Sequence, residues 1–485
     1  PAFLFNMRSP DTTECVPPSR ISAVIRSVNL SGRTPLSHSR LNPTGSGEAV
    51  GRNGNDPERN IVEACLQPLR EETIACSQVG FFRPDTPPLA IIAAVTPLSP
   101  TMISPSFSRL CLLLGLPCLL LAQPAPKQQD TTTKADPTMA ASQKAAENLQ
   151  WFDVSTWGVE GREFVDAPRQ RWFDRLPSEA EGKVTTNVWN LSRDSAGMMV
   201  RFKTDAEAIH VHYLLSKDRL GMPHMPATGV SGVDLYARDS KGAWKWVNVT
   251  RPATQEVKAE VIKGLAPGFR EYALYLPLYN GVEFLKIGVP AGTKFETLTP
   301  RKKPIVFYGT SITHGACASR PGMVHTAILG RRFDMPVVIL GFSGNGRMDA
   351  AVGDFLVRID AAVYVIDCLP NMQPADVTAK TIPLVKQLRA VKPSTPIVLV
   401  EDRRFTNDWI TPAKKKFHDD NHAALKAAYK ELQKMGVKNL FYISGDELYG
   451  TDTEGATDAS HANDLGFMRQ ADVMEPILRK ALKTK

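Results

Sequence analysis

Two hydrophobic rhythms divide most of the chain. From about Trp151 to Thr299, short apolar runs are separated by turn residues: 198–203, 209–214, 233–236, 271–276 and 284–289. Their spacing and β-branched or aromatic content predict a β-sandwich, with no long amphipathic helix between them. From residue 304 the pattern changes to strand and helix in alternation. Strands are expected at 304–308, 336–342, 362–368, 396–401 and 439–444, and helices near 322–333, 348–358, 375–391, 419–435 and 464–482. Such alternation predicts an α/β domain in three layers, a parallel sheet with helices on both faces and ligands at the carboxyl ends of the strands. Ser311, Gly344, Asn371 and Glu401 each follow one of those strands.

The first 150 residues follow neither rhythm. No lysine precedes Lys127 and 27 lie from there to the C-terminus, while five of the seven cysteines fall before residue 123. Arg109 precedes an apolar run from Leu110 to Ala122, followed by polar Gln123. This reads as a secretory signal peptide over 102–122, because a core of about 13 residues is too short for a comfortable membrane span and Ala122 suits a cleavage site. Residues 1–101 show no periodicity and are expected to be disordered or spuriously translated upstream sequence, and 123–150 to be a flexible linker. The β-sandwich then occupies 151–299 and the α/β domain 300–485. Export, to the periplasm or the exterior, leaves only Cys317 and Cys368, bridged or free.

Composition narrows the function classes. A chain of 485 residues, 43% hydrophobic and 22% charged, fits two or more domains. The net charge of +8 is modest and no basic block is interleaved with aromatics, which argues against nucleic-acid binding.

The chemistry is concentrated at two places. Gly309-Thr310-Ser311-Ile312-Thr313-His314-Gly315 directly follows an apolar strand, and Asp458-Ala459-Ser460-His461 lies near the C-terminus. A nucleophilic serine needs a base within hydrogen-bond reach and a carboxylate to hold the base's tautomer, and an Asp-x-x-His turn delivers both. Ser311, His461 and Asp458 are the expected catalytic triad. Activity should therefore fall in acid as His461 becomes protonated.

With these residues the α/β domain resembles the SGNH (GDSL-type) hydrolases. Ser311 matches the first-block nucleophile, although Gly-Thr-Ser replaces Gly-Asp-Ser; Gly344 matches the second-block glycine, Asn371 the third-block asparagine, and Asp458 and His461 the last block. The resemblance implies an oxyanion hole made of the Ser311 and Gly344 backbone N–H groups and the Asn371 amide. Met372 stands where an acid often follows the asparagine. Gly232-Val233-Asp234-Leu235-Tyr236 matches the marker of one SGNH subgroup with an N-terminal β-domain. A sandwich ahead of an SGNH domain is also similar to two-domain carbohydrate esterases that remove acetyl groups. No Gly-x-Ser-x-Gly elbow precedes a helix, which disfavours an α/β-hydrolase.

The expected function is an exported serine esterase that removes acyl groups, acetyl above all, from oligo- or polysaccharide, without metal or other cofactor. The same fold also serves lipid and aryl esterases and thioesterases, and a carbohydrate-binding protein with a vestigial site is the reading from another class. Arg320 and Arg347 are candidate substrate contacts, with loop bracing as their other role. Trp157, Trp172, Trp244 and Trp246 could stack on sugars but are more often core. His210 and His212 lack a third metal ligand; His418 and His422 lack the Glu of His-Glu-x-x-His and are expected on a wet helix start. His314 and His325 lie near the nucleophile and are not expected to be the base.

Overall fold

A computed structural model of the chain describes residues 148–483. The expected upstream segment, signal peptide and all but the end of the linker lie outside the described residues. Leu149 and Gln150, placed in the linker by their lack of apolar period, instead begin strand β1 (Leu149–Asp153). Pairing with an edge supplies the reason: Leu149 lies opposite Pro290 and Gln150 opposite Val289.

The β-domain continues with helix α1 (Thr186–Ser192), strands β2 (Met199–Thr204) and β3 (Ala208–Leu215), and the single turn α2 (Ala227–Val230). Then follow β4 (Asp234–Arg238), β5 (Trp244–Val249), β6 (Glu256–Lys263), β7 (Arg270–Tyr275), β8 (Val282–Pro290) and β9 (Phe295–Thr297). Two antiparallel sheets form, in the orders β1-β8-β3-β6 and β5-β4-β7-β2-β9. Their inner faces meet in a core that includes Phe202, Tyr213, Tyr272, Leu274, Leu285 and Ile287. Strand β6 was not expected, because Glu-Val-Lys-Ala-Glu-Val-Ile-Lys carries only Val257 and Val261 into that core.

The second domain contains β10 (Ile305–Gly309), α3 (Ser311–His314), α4 (His325–Phe333), β11 (Val337–Gly341), α5 (Ala350–Leu356), β12 (Val363–Asp367) and α6 (Pro374–Val391). It ends with β13 (Ile397–Val400), α7 (Pro412–Lys434), β14 (Leu440–Ile443) and α8 (Asp464–Lys483). The sheet is parallel, ordered β11-β10-β12-β13-β14. Alternate residues go to opposite faces: Val306 and Tyr308 pack with Phe355, Leu384 and Leu425 from α5, α6 and α7. Ile305 and Phe307 pack with Leu329, Phe467 and Met474 from α4 and α8. Burial on both faces makes such strands near-continuous apolar runs, which is why they are readable in sequence.

Helix α7 begins at Pro412, seven residues before the expected start at 419. Proline at its first turn fits the fixed φ and missing donor there. The earlier start turns His418 and His422 inward, contrary to the wet position expected for them. Both are buried: His418 Nε2 accepts from the Phe405 N–H at 3.1 Å, and His422 Nε2 lies 2.8 Å from the Asp402 carbonyl.

The two domains are clasped at the Gly-x-Asp-Leu-Tyr segment. Asp234 is fully buried; its Oδ2 accepts from Arg320 at 3.0 Å and from the Gly322 N–H at 2.8 Å, and its Oδ1 from Trp246 Nε1 at 2.9 Å. The Arg320 guanidinium also bonds the Tyr236 hydroxyl and lies 4.8 Å from the Trp246 ring centroid. Buried charge is tolerable only when paired and hydrogen-bonded, and here every partner crosses the boundary or lines it. Arg320, a candidate substrate contact with bracing as its other role, is occupied in bracing the domains. Trp246 is part of the same clasp; Trp157 bonds the Arg201 carbonyl, and Trp172 and Trp244 lie under Arg162 and Arg238.

Candidate active site

Strands β10, β11 and β12 end at one level, with Gly309 opposite both Gly341 and Asp367. The loops that leave them therefore converge. After β10, Thr310 caps α3 by accepting from the Ile312 N–H at 3.3 Å, and Gly315 at φ +107° ends the turn. The helix is short because capping and a left-handed stop lie only five residues apart. Ser311 is its first residue, so its own N–H has no acceptor inside the helix. The turn packs tightly against the next loop, where a Cβ on Gly346 would lie 1.8 Å from the Gly309 carbonyl.

The C-terminal turn brings the base. Ala459 adopts φ +68°, the Thr457 N–H bonds the His461 carbonyl at 2.8 Å, and Asp458 Oδ1 accepts from the Ser460 and His461 N–H groups at 3.1 and 2.7 Å. Asp458 Oδ2 lies 2.7 Å from His461 Nδ1, and His461 Nε2 lies 2.8 Å from Ser311 Oγ. Partial burial opposes ionisation of Asp458, but these hydrogen bonds outweigh it and hold the carboxyl below its ordinary range. Serine, histidine and aspartate, 150 residues apart in sequence at the widest, stand in one hydrogen-bonded row.

Gly344 lies in the loop after β11, exposed, at φ +68°. A Cβ there would meet nothing within 4 Å, so backbone conformation rather than crowding requires glycine. Asn371 ends a 3₁₀ turn after β12. With its amide oriented so that Oδ1 accepts from the Asn345 and Gly346 N–H groups at 3.1 Å each, the Nδ2 hydrogens remain for another acceptor. The opposite assignment makes longer contacts, 3.4 and 3.3 Å, to the Phe342 and Gly346 carbonyls. The first faces the amide oxygen toward two N–H groups at shorter distance and is preferred. Met372 is buried in the core. Arg347 is exposed and its Nε donates to the Gly344 carbonyl at 2.9 Å, so it braces this loop while remaining at the surface.

Several residues at the site were not singled out from the sequence. Tyr279, between β7 and β8 of the β-domain, places its hydroxyl 2.7 Å from Ser343 Oγ and 3.3 Å from the Ser311 carbonyl. The exposed His224, also from the β-domain, has its ring centroid 6.3 Å from that of His461. Beneath the nucleophile, Asp367 accepts from Thr313 Oγ1 at 3.0 Å and pairs with the buried Arg403, which donates from its second nitrogen at 2.8 Å. Of these, only Asp367, an acid closing an apolar strand, left a readable signal.

His314 and His325 are buried, as non-bases would be: burial holds both well below the usual imidazole range. Cys317 and Cys368 are free and buried. Burial first, then the charge of Asp458, pushes the Cys317 thiol up to about 11. Among the described residues, potential metal ligands gather at Cys317, Asp458 and His461, within 4.8 Å of one another. Two of these already bond each other.

The GDSL-like Lipase/Acylhydrolase family model matches residues 302–479, and the GxDLY model, the N-terminus of Esterase_SGNH_hydro-type, matches 149–295. A crystal structure described as a GDSL-like lipase from Bacteroides ovatus ATCC 8483 superposes with a TM-score of 0.65 at 31% identity, covering 70% of this chain and 99% of that one. The chain belongs to the SGNH (GDSL-like) hydrolase family, in the branch that carries a GxDLY N-terminal domain. The salicylyl-acyltransferase SsfX3 from a tetracycline biosynthetic pathway shares the fold, with a TM-score of 0.54 at 19% identity over 69% of this chain and 94% of that one. A family two carbohydrate esterase from Cellvibrio japonicus aligns at TM-score 0.45 and 15% identity, over 69% and 98%. No curated protein sequence matches the chain.

Proposed function

We propose that the protein is a serine esterase that removes small acyl groups, acetyl above all, from hydroxyls of carbohydrate. The row Asp458–His461–Ser311, with contacts of 2.7 and 2.8 Å, carries the reading. His461 takes the Ser311 proton as Oγ attacks the ester carbonyl, and Asp458 stabilises the resulting imidazolium. The tetrahedral oxyanion is received by the Ser311 and Gly344 N–H groups and Asn371 Nδ2, each such donor lowering the barrier by about 2.7–4 kcal/mol. His461 then protonates the leaving sugar hydroxyl, and water, activated by the same imidazole, releases the acid from the acyl-enzyme.

Carbohydrate is favoured by the rim. Exposed His224, Gly344 and Arg347 and half-buried Asn345 give it a polar character. Trp409 is 72% exposed, three residues beyond Thr406, whose N–H bonds the Ala459 carbonyl of the triad turn at 3.0 Å. A polar rim, with an exposed indole on a segment bonded to the triad turn, suits a hydroxylated ring. Export, read from 102–122, belongs to the same proposal. Among the described residues no helix is long and apolar enough to cross a membrane.

The test compares 4-nitrophenyl acetate, longer acyl esters and acetylated xylan, pectin and algal polysaccharides, with Ser311→Ala as control. Ser311-dependent acetate release, fastest from polysaccharide, is expected. Cleavage of long acyl esters in preference would move the substrate class to lipid, and polysaccharide binding without any hydrolysis would replace the enzyme reading.

A further inference from the structure

The hydroxyl of Tyr279 joins the two loops that the proposed mechanism must hold in register. It meets the carbonyl of Ser311 at 3.3 Å and Ser343 Oγ at 2.7 Å, and Ser343 immediately precedes Gly344. A phenol has one proton. Only one assignment makes both contacts: the Tyr279 O–H donates to the Ser311 carbonyl and the Ser343 O–H donates to the Tyr279 oxygen. Burial pushes the Tyr279 phenol far above its ordinary value, so this proton stays in place throughout the range in which an esterase works.

The ring cannot swing away easily. It stacks on His314 at 4.2 Å with planes 12° apart, and His314 Nε2 is fixed by the Leu278 carbonyl at 2.7 Å. The Tyr279 N–H bonds the Val230 carbonyl at 3.1 Å, and its own carbonyl accepts from Lys217 Nζ at 3.2 Å. Lys217 also pairs with buried Asp194, whose other oxygen lies 3.7 Å from His314 Nε2. All these anchors except His314 belong to the β-domain. The tyrosine is therefore aimed by one domain at two loops of the other.

We infer that Tyr279 is a positioning residue, through which the β-domain sets the Gly344 N–H against Ser311 for oxyanion binding. The inference rests on the esterase reading. A fixed hydrogen bond at Ser343 limits rotation of the peptide that carries the Gly344 N–H, and a misplacement of about 1 Å at such a donor can cost around a hundredfold in rate. Tyr279 does not touch the Asp458–His461 pair in this geometry, so it should leave the protonation behaviour of the base alone.

The test uses the full chain as wild type, Ser311→Ala, Tyr279→Phe and Ser343→Ala with 4-nitrophenyl acetate, counting functional sites by stoichiometric fluorophosphonate labelling. Expected for Tyr279→Phe is a fall in kcat per labelled site of roughly tenfold to a hundredfold, with KM and the acid limb of the pH profile unchanged. Ser343→Ala, which removes the other end of the same contact, should lose a comparable factor, and the double variant no more than either. Wild-type kcat per labelled site in both single variants overturns the inference, as does a loss wholly explained by fewer labelled sites. If Tyr279→Phe fails to fold, Ser343→Ala decides alone. Absence of Ser311-dependent hydrolysis in the wild type would overturn the esterase reading itself, an outcome distinct from these.

Discussion

The two domains supply the site in opposite ways. The α/β domain delivers its groups as consecutive features of the fold: three strands end level, and the loops behind them carry Ser311, Gly344 and Asn371. The β-domain contributes isolated side chains from turns, Tyr279 and His224, and one buried carboxylate, Asp234, that grips the other domain. Groups fixed by topology advertise themselves in sequence, since each must follow an apolar strand. Groups fixed by docking do not show their role: Tyr279 and His224 stood out in no pattern, and Asp234 stood in a marker that did not say what it holds.

The sharpest way to break this comparison is to disable each side in turn. On the α/β side, Ser311→Ala or Asp458→Asn should lower kcat by about 10⁴-fold, since loss of a triad member leaves only oxyanion binding and positioning. Steady-state kinetics with 4-nitrophenyl acetate checks this, and retention of a tenth of the activity by either variant would refute the assignment. On the β side, Asp234→Ala leaves the half-buried Arg320 at the domain boundary without its anion. Because only the acid of this pair is fully buried, the loss should fall below the roughly 3–5 kcal/mol of a fully buried pair, and urea unfolding followed by tryptophan fluorescence should show a lowered midpoint. A midpoint unchanged within error would mean that the clasp is not what joins the domains.

The pH profile refines the α/β side alone. His461 must be neutral to accept the Ser311 proton, so its protonation in acid should abolish activity. Asp458, held low by its hydrogen bonds to His461 and Ser460, stays charged through that range, so a single proton should govern the acid limb of kcat/KM. Two protons in the limb would implicate another group. The smallest effect belongs to the rim: Arg347→Ala should raise KM for an acetylated polysaccharide a few-fold and leave 4-nitrophenyl acetate unaffected, because its bond to the exposed Gly344 carbonyl is a surface contact.

Much of the architecture was legible for a physical reason. Parallel strands buried on both faces are uninterrupted apolar runs, so β10 to β14 stand out, and the triad follows from where two motifs fall relative to them. The expected start of α7 failed because its first turns are rich in lysine; Pro412, which marks the start, carries no periodicity. Likewise β6 hides its two core valines among glutamates and lysines. Arg320 shows the limit most clearly. An arginine near a nucleophile reads as a substrate contact, and only the fold discloses that Asp234, 86 residues away, already holds it.

That clasp also bears on the order in which the chain acquires its structure. Synthesis completes the β-domain before Arg320 and Gly322 have followed, and until they dock, Asp234 lacks its counter-ion and its one backbone donor. Burial raises the carboxyl's affinity for a proton. A half-made chain thus holds that acid without the partners that satisfy it, and the second domain supplies them. Asp234 is thus fully satisfied only when both halves are present, which makes the hydrolase half a poor cassette to transplant onto another N-terminal partner.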